Sequence, residues 1–210
     1  MSIFVSEPQG GYEPIPAGTY PASCYLVADI GEHWQTPLEK GKEGRWQRQI
    51  ILGWELQGVG DAADEKIYTI HKFYSATLGR NSNLRADLEN WRGREFTPEE
   101  LKQFDLSSIL SAPCLLQIAT KTKQNGESRD AVAGILRLPK GMQAAAPSQS
   151  IEFSIERDMA QLEFLPKLVQ SCVKNSREYQ EKFTAAPSPF AEEEAPPLPE
   201  EDPFGGVLPF

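Results

Sequence analysis

Basic side chains cluster at three places in this 210-residue chain, interleaved with aromatic ones at two of them. Trp34, Lys40, Lys42, Arg45, Trp46 and Arg48 occupy one short stretch. Tyr68, Lys72 and Tyr74 recur at even spacing in a second, opposite Ile67, His71 and Phe73. Lys121, Lys123 and Arg129 flank a third, around Asn125-Gly126. Flat rings interleaved with cations can do two things at once: the rings stack on exposed heterocycles while the cations neutralise a phosphate backbone. A single-stranded nucleic acid presents both targets together. The same residues also have structural readings. Trp54 shares parity with Ile50, Leu52 and Leu56 and is expected in the core, and by that parity Trp46 could be there too. Tyr68 and Tyr74 are as compatible with a core as with a stacking surface, and loop lysines are often solvated charges.

Residues for other chemistry are scarce. The two histidines, His33 and His71, stand far apart, and no Cys or His pair has the spacing of metal ligands. Gly41-Lys42-Glu43-Gly44 lacks the length and the following Ser or Thr of a phosphate-binding loop. The carboxylates form no acid–base motif. Cys24, Cys114 and Cys172 are odd in number, widely separated and in apolar settings, which predicts reduced thiols rather than a disulfide frame. The expectation is therefore a binding protein without catalytic residues, metal or cofactor.

The elements that must position the rings and cations follow from periodicity. Residues 1–16 are rich in Gly and Pro and read as an irregular arm. Thr19–Ile30 alternates as a strand, and the polar, Gly-containing stretch Gly31–Arg45 reads as a long loop. Gln47–Leu56 is a second strand with Gly53 as a bulge, and Ile67–Tyr74 a third. The period then changes. Asn81 or Ser82 caps a helix reaching Trp91, and Thr97-Pro98-Glu99-Glu100 starts another as a capping box. A short turn at Leu106–Leu110 precedes two more strands, Pro113–Lys121 and Arg129–Leu136.

Strand, strand, strand, helix, strand, strand is the order of an OB barrel. The fold class is thus mainly β: a five-stranded OB-like barrel over residues 17–140, with a helix between its third and fourth strands. In such a barrel a single-strand groove crosses strands two and three between the first and last hairpin loops. That places Trp46, Tyr68 and Tyr74 as stacking platforms, with Lys40, Lys42, Arg45, Arg48, Lys72, Lys121, Lys123 and Arg129 on phosphates. Arg85, Arg92 and Arg94 around Trp91 read instead as part of a helix that caps the barrel. Residues 141–183 form a linker and a C-terminal helix, Leu165 to about Lys182, with Leu165, Leu168, Val169, Cys172 and Val173 on one apolar stripe. This helix is expected to dock on the barrel and seal its edge, with dimerisation as the alternative.

The net charge of −9 would argue against a polyanion ligand if it were evenly spread. It is not. Six acids and no base lie between Thr184 and Phe210; without them 24 acids face 21 Lys plus Arg, a body charge of −3. Composition predicts a disordered acidic tail over 184–210. Its Asp202, Phe204, Pro209 and Phe210 combine charge with apolar contacts and are expected to dock on replication or recombination proteins. The acids can also compete for the chain's own groove. No run approaches the roughly 20 apolar residues of a membrane helix. The N-terminus lacks a signal peptide, so a cytoplasmic location is expected, without membrane contact.

Four stretches carry a resemblance to a known group: Ile15-Pro16-Ala17-Gly18-Thr19-Tyr20, Trp54-Glu55-Leu56, the segment from Ser82-Asn83-Leu84-Arg85 through Trp91-Arg92-Gly93-Arg94, and Leu138-Pro139-Lys140-Gly141. Over about residues 14–182 the chain resembles phage-encoded OB-fold single-stranded DNA-binding proteins. The tail is similar to the acidic tip of bacterial single-stranded DNA-binding proteins, although Pro203 to Leu208 separate its last acid from Pro209-Phe210. The resemblance implies sequence-independent binding of single-stranded DNA during phage replication or recombination inside a bacterial host. The other reading of the residues is an OB-like protein-interaction module, binding a host factor or mimicking DNA.

Overall fold

A computed structural model describes residues 14–36, 43–59, 66–122 and 128–183. Its organising element is strand β1, Gly18–Gln35, whose middle is apolar on both faces because both faces are covered. Strand β2, Arg45–Leu56, pairs antiparallel with β1 over its whole length, and β3, Tyr68–Ser75, pairs antiparallel with β2. Strand β4, Pro113–Thr122, joins the other edge of β1 at Gly18–Ser23 and carries β5, Ser128–Leu136. The antiparallel path runs β3-β2-β1-β4-β5, with helix α1, Asn83–Arg92, and the short helix α2, Pro98–Lys102, between β3 and β4. The protein is mainly β. The path is open: β3 and β5 end it, and although their Cα atoms come within 8 Å, no ladder joins them.

The first strand runs five residues beyond the predicted Ile30. Register shifts at Cys24/Leu26 and Asp29/Gly31 let it bend and stay paired, with Gly31 at φ 84°, a region glycine enters without steric cost. The bulge expected at Gly53 lies across from it, on β1. Gly53 itself pairs with Leu26, and a Cβ there would come within 2.9–3.0 Å of His71, Leu26 and Tyr25. Close approach of neighbouring side chains explains this glycine.

The interior face buries Ile50, Leu52, Trp54 and Leu56 from β2 against Leu84, Leu88 and Trp91 of α1. Ser82 caps α1, its hydroxyl accepting from the Arg85 N–H, and Gly93 ends the helix in the left-handed conformation. Trp91 donates its indole N–H to the Pro113 carbonyl at 2.9 Å. The Thr97–Glu100 capping box forms as its residues predict.

The C-terminal segment departs furthest from expectation. Residues 151–154 form strand β6, Ile151–Ser154, which pairs parallel with Leu26–Asp29 of β1 just past the stretch paired with β4. The predicted single helix is two: α3, Lys167–Lys174, and α4, Arg177–Phe183, interrupted at Asn175-Ser176. Val169 and Val173, with Phe153 and Leu162, bury a second cluster against Tyr25, Leu26, Ala28 and Ile30. Each fully buried aliphatic side chain is worth about 1.5–3 kcal/mol, so this layer belongs to the stability of the domain. The helix docks as expected, but on the outer face of β1, not on the free edges of β3 and β5. The linker is stapled down as well. Glu55 accepts from the Ser148 N–H and hydroxyl at 2.8 and 2.6 Å, and Gln57 exchanges two 2.9 Å hydrogen bonds with the Ala145 backbone.

Candidate nucleic-acid interface

Strand pairing determines which way each candidate ring points. Residues opposite one another on adjacent strands share a face. Leu56 lies opposite Tyr68 and Ile50 opposite Tyr74, so both tyrosines follow their partners inward. Both are buried in the interior cluster and offer no open ring face to a base. The Tyr74 hydroxyl donates to Asp87 of α1 at 2.7 Å, and burial pushes its pKa up. Lys72 Nζ lies 2.6 Å from the same carboxylate. Lys72, Asp87 and Tyr74 therefore tie β3 to α1, and all three predicted β3 contributors are engaged in the fold. Arg48 is likewise taken: its guanidinium binds Asp29 along one edge and Glu156 at 2.7 Å.

The surviving candidates sit at the far end of the β1–β2 ladder. Trp34 and Trp46 are register partners, their rings 5.5 Å apart and edge to face. They are 53% and 42% exposed, whereas Trp54 is fully buried and Trp91 nearly so. Trp34 lies over Gly44, where a Cβ would meet the indole at 2.5 Å, so the absent side chain makes room for the ring. The Arg177 guanidinium of α4 stands 5.5 Å over Trp46 and 3.3 Å from Glu32. Arg45 is exposed beside them, opposite Gln35. It leads into a groove of about 530 Å³ that runs past Gln47, Gln49 and Phe73 to the start of α1.

No family model, curated protein or solved structure matches this chain. Lys121 and Arg129 are exposed register partners on the β4–β5 hairpin and supply a second pair of cations. Lys40, Lys42 and Lys123 lie outside the described residues, as do Asp202, Phe204, Pro209 and Phe210.

Phe73 and Arg177 were not among the predicted residues, and Trp34, noted in the same stretch as Trp46, had been given no stacking role. Phe73 is 46% exposed on the face opposite Tyr68 and Tyr74. Parity between β2 and β3 was the signal available for it, once Trp54 and Ile50 were taken as core. Arg177 had no signal, because its approach to Trp46 depends on how α4 docks. Among the described residues no group of three His, Cys, Asp or Glu side chains is placed to hold a metal, and no helix is long and apolar enough to cross a membrane.

Proposed function

We propose that this chain binds single-stranded DNA with little sequence preference, using the Trp34–Trp46 end of an OB-type barrel. The observation that carries the reading is that pair: two large rings held exposed by strand register, with Arg45 alongside and Arg177 over one of them. Exposed neighbouring aromatics with adjacent cations are what a stacking platform for unpaired bases requires. The barrel assignment is supported by the path β3-β2-β1-β4-β5 with a helix between β3 and β4, and by the approach of β3 to β5. Closing that seam would give the OB order. The phage-type reading rests on the four sequence stretches named above. With it go a bacterial cytoplasmic setting and recruitment of replication or recombination proteins through residues 184–210.

Tryptophan fluorescence tests this directly, since only two of the four indoles are exposed. Oligo-dT is expected to quench the emission, less at high salt, and duplex DNA is not. Stacking contributes about 1–3 kcal/mol per base, so Trp46→Ala should weaken oligo-dT binding by about fivefold or more. Trp34→Ala should do the same, and Trp54→Phe should retain the quenching. A stoichiometric protein partner, with no affinity for oligo-dT at low salt, would assign this end of the sheet to protein recognition instead.

A further inference from the structure

The groove that Arg45 opens is lined unlike a backbone-binding channel. Gln35, Gln47, Gln49, Asn81 and Asn83 all face it, from β1, from β2 and from the approach to α1. Not one of these five amide side chains makes a hydrogen bond to a described residue. Among the described lining residues Arg45 is the one cation, and Phe73 contributes the exposed ring. A channel for phosphates needs cations, because neutralising charge is what drives that contact. A primary amide offers two donors and an acceptor side by side. That pattern complements the edge of a nucleobase, where donors and acceptors also alternate, and Asn and Gln read bases in this bidentate way. The volume of about 530 Å³ falls within the roughly 300–1,000 Å³ of sites that hold ligands of nucleotide size.

We infer that this groove takes one unpaired nucleobase, stacked on Phe73 and read along its edge by Gln47 and Gln49. The inference rests on the single-stranded DNA reading and deepens it. Most of the strand is held by stacking and charge, and one position carries a base preference. Gln47 and Gln49 alternate on β2 and so project from the same side of the strand, next to Ser75 on β3. Arg45 continues the row toward the tryptophan pair, where it can hold the phosphate that links the read base to its stacked neighbour.

The test is anisotropy titration of the full chain with labelled oligo-dA, oligo-dC and oligo-dT, and with oligo-dT containing abasic positions. Affinities of the three homo-oligomers are expected to spread by about fivefold or more, the scale of one bidentate base contact. The abasic strand should bind more weakly than oligo-dT. Replacing both glutamines, Gln47→Ala with Gln49→Ala, should compress the spread to within about twofold, whereas Trp46→Ala should weaken all three alike. Thermal melting of each variant checks that the fold is retained. Equal affinity for all three homo-oligomers, or a spread unchanged in the double variant, overturns the base-reading groove and leaves single-strand binding in place. Failure of every oligomer to bind overturns the parent reading itself.

Discussion

Gly53 shows how one residue can carry a constraint that its neighbours impose. A methyl group there would come within 2.9–3.0 Å of His71, Leu26 and Tyr25 at a position where β1 and β2 are tightly paired. Overpacking of this kind costs about 1–3 kcal/mol, and Gly53→Ala should lower the unfolding free energy by that amount in a denaturant titration. An unchanged midpoint would show that the Tyr25–His71 pair yields without cost. The same residue scale explains why predicted site residues divided as they did. Tyr74 and Lys72 meet Asp87, Arg48 meets Asp29 and Glu156, and their hydrogen-bonding capacity is spent inside the protein. Trp34 and Trp46 meet each other and remain open. Cys24 and Cys114 are buried, as their apolar settings predict, and burial raises both pKa values, which favours the protonated thiols; Cys172 is only half-buried.

At the scale of elements, the segment 141–150 has the composition of a linker and the hydrogen bonding of a structural strap. Glu55 is 8% exposed and is held by Ser148 through two bonds, and the Ser23 hydroxyl adds a third anchor at the Ala145 carbonyl, 2.7 Å away. Together with Gln57 they bring β6 to β1 in parallel register. Hydrogen bonds to a buried charged acceptor are worth about 1.5–3 kcal/mol. Glu55→Ala should therefore destabilise the protein by roughly that much and raise amide exchange across 145–154. Exchange that stays slow there would locate the anchoring in the apolar cluster around Phe153 instead. The break between α3 and α4 has a comparable origin. Ser176 turns its hydroxyl to the Val173 carbonyl at 2.6 Å, and α4 departs on a new line that sends Glu178 to the Glu32 N–H and Arg177 to Trp46.

For the molecule as a whole, pH separates two sets of contacts. His71 is held between Tyr25 and Gly53; burial lowers its pKa from the ordinary 6.5, with the Tyr25 hydroxyl 2.5 Å from its Nε2. The folded state therefore favours neutral His71, so its contribution is complete above pH 6.5 and declines as acidification protonates the unfolded chain first. Glu100 is opposite in kind. Arg94, the Thr97 N–H and Arg92 hold its pKa down to about 2, so its contribution is present above about 4.5 and is lost on approach to pH 2. Unfolding free energy should thus begin to fall below pH 6.5 and fall further below about 4.5. His71→Gln, which keeps a polar partner for Tyr25 without titrating, should flatten the upper part only. A profile that His71→Gln leaves unchanged would assign that part to other groups.

What the chain determines alone is whatever depends on local periodicity and local capping. Period-2 alternation located the first two strands, β-branched and aromatic composition the third, and a polar turn the last pair; Asn81-Ser82 and Thr97 marked the helix starts, and Trp54 and Trp91 were legible as core because they sit in phase with aliphatic neighbours. Strand register belongs to tertiary structure, and register decides which of the candidate rings are exposed. Pairing of Leu56 with Tyr68 turns the β3 tyrosines inward and leaves Phe73 outside, and pairing of Trp34 with Trp46 brings two exposed rings a loop apart into contact. A docking C-terminal helix was legible from its apolar stripe, but β6 and the face of β1 that is covered were not, since β6 is only four residues long and α3 finds its face through contacts more than a hundred residues away in sequence. Side-chain periodicity within a strand specifies two faces, but only the partner strand specifies which of them meets solvent.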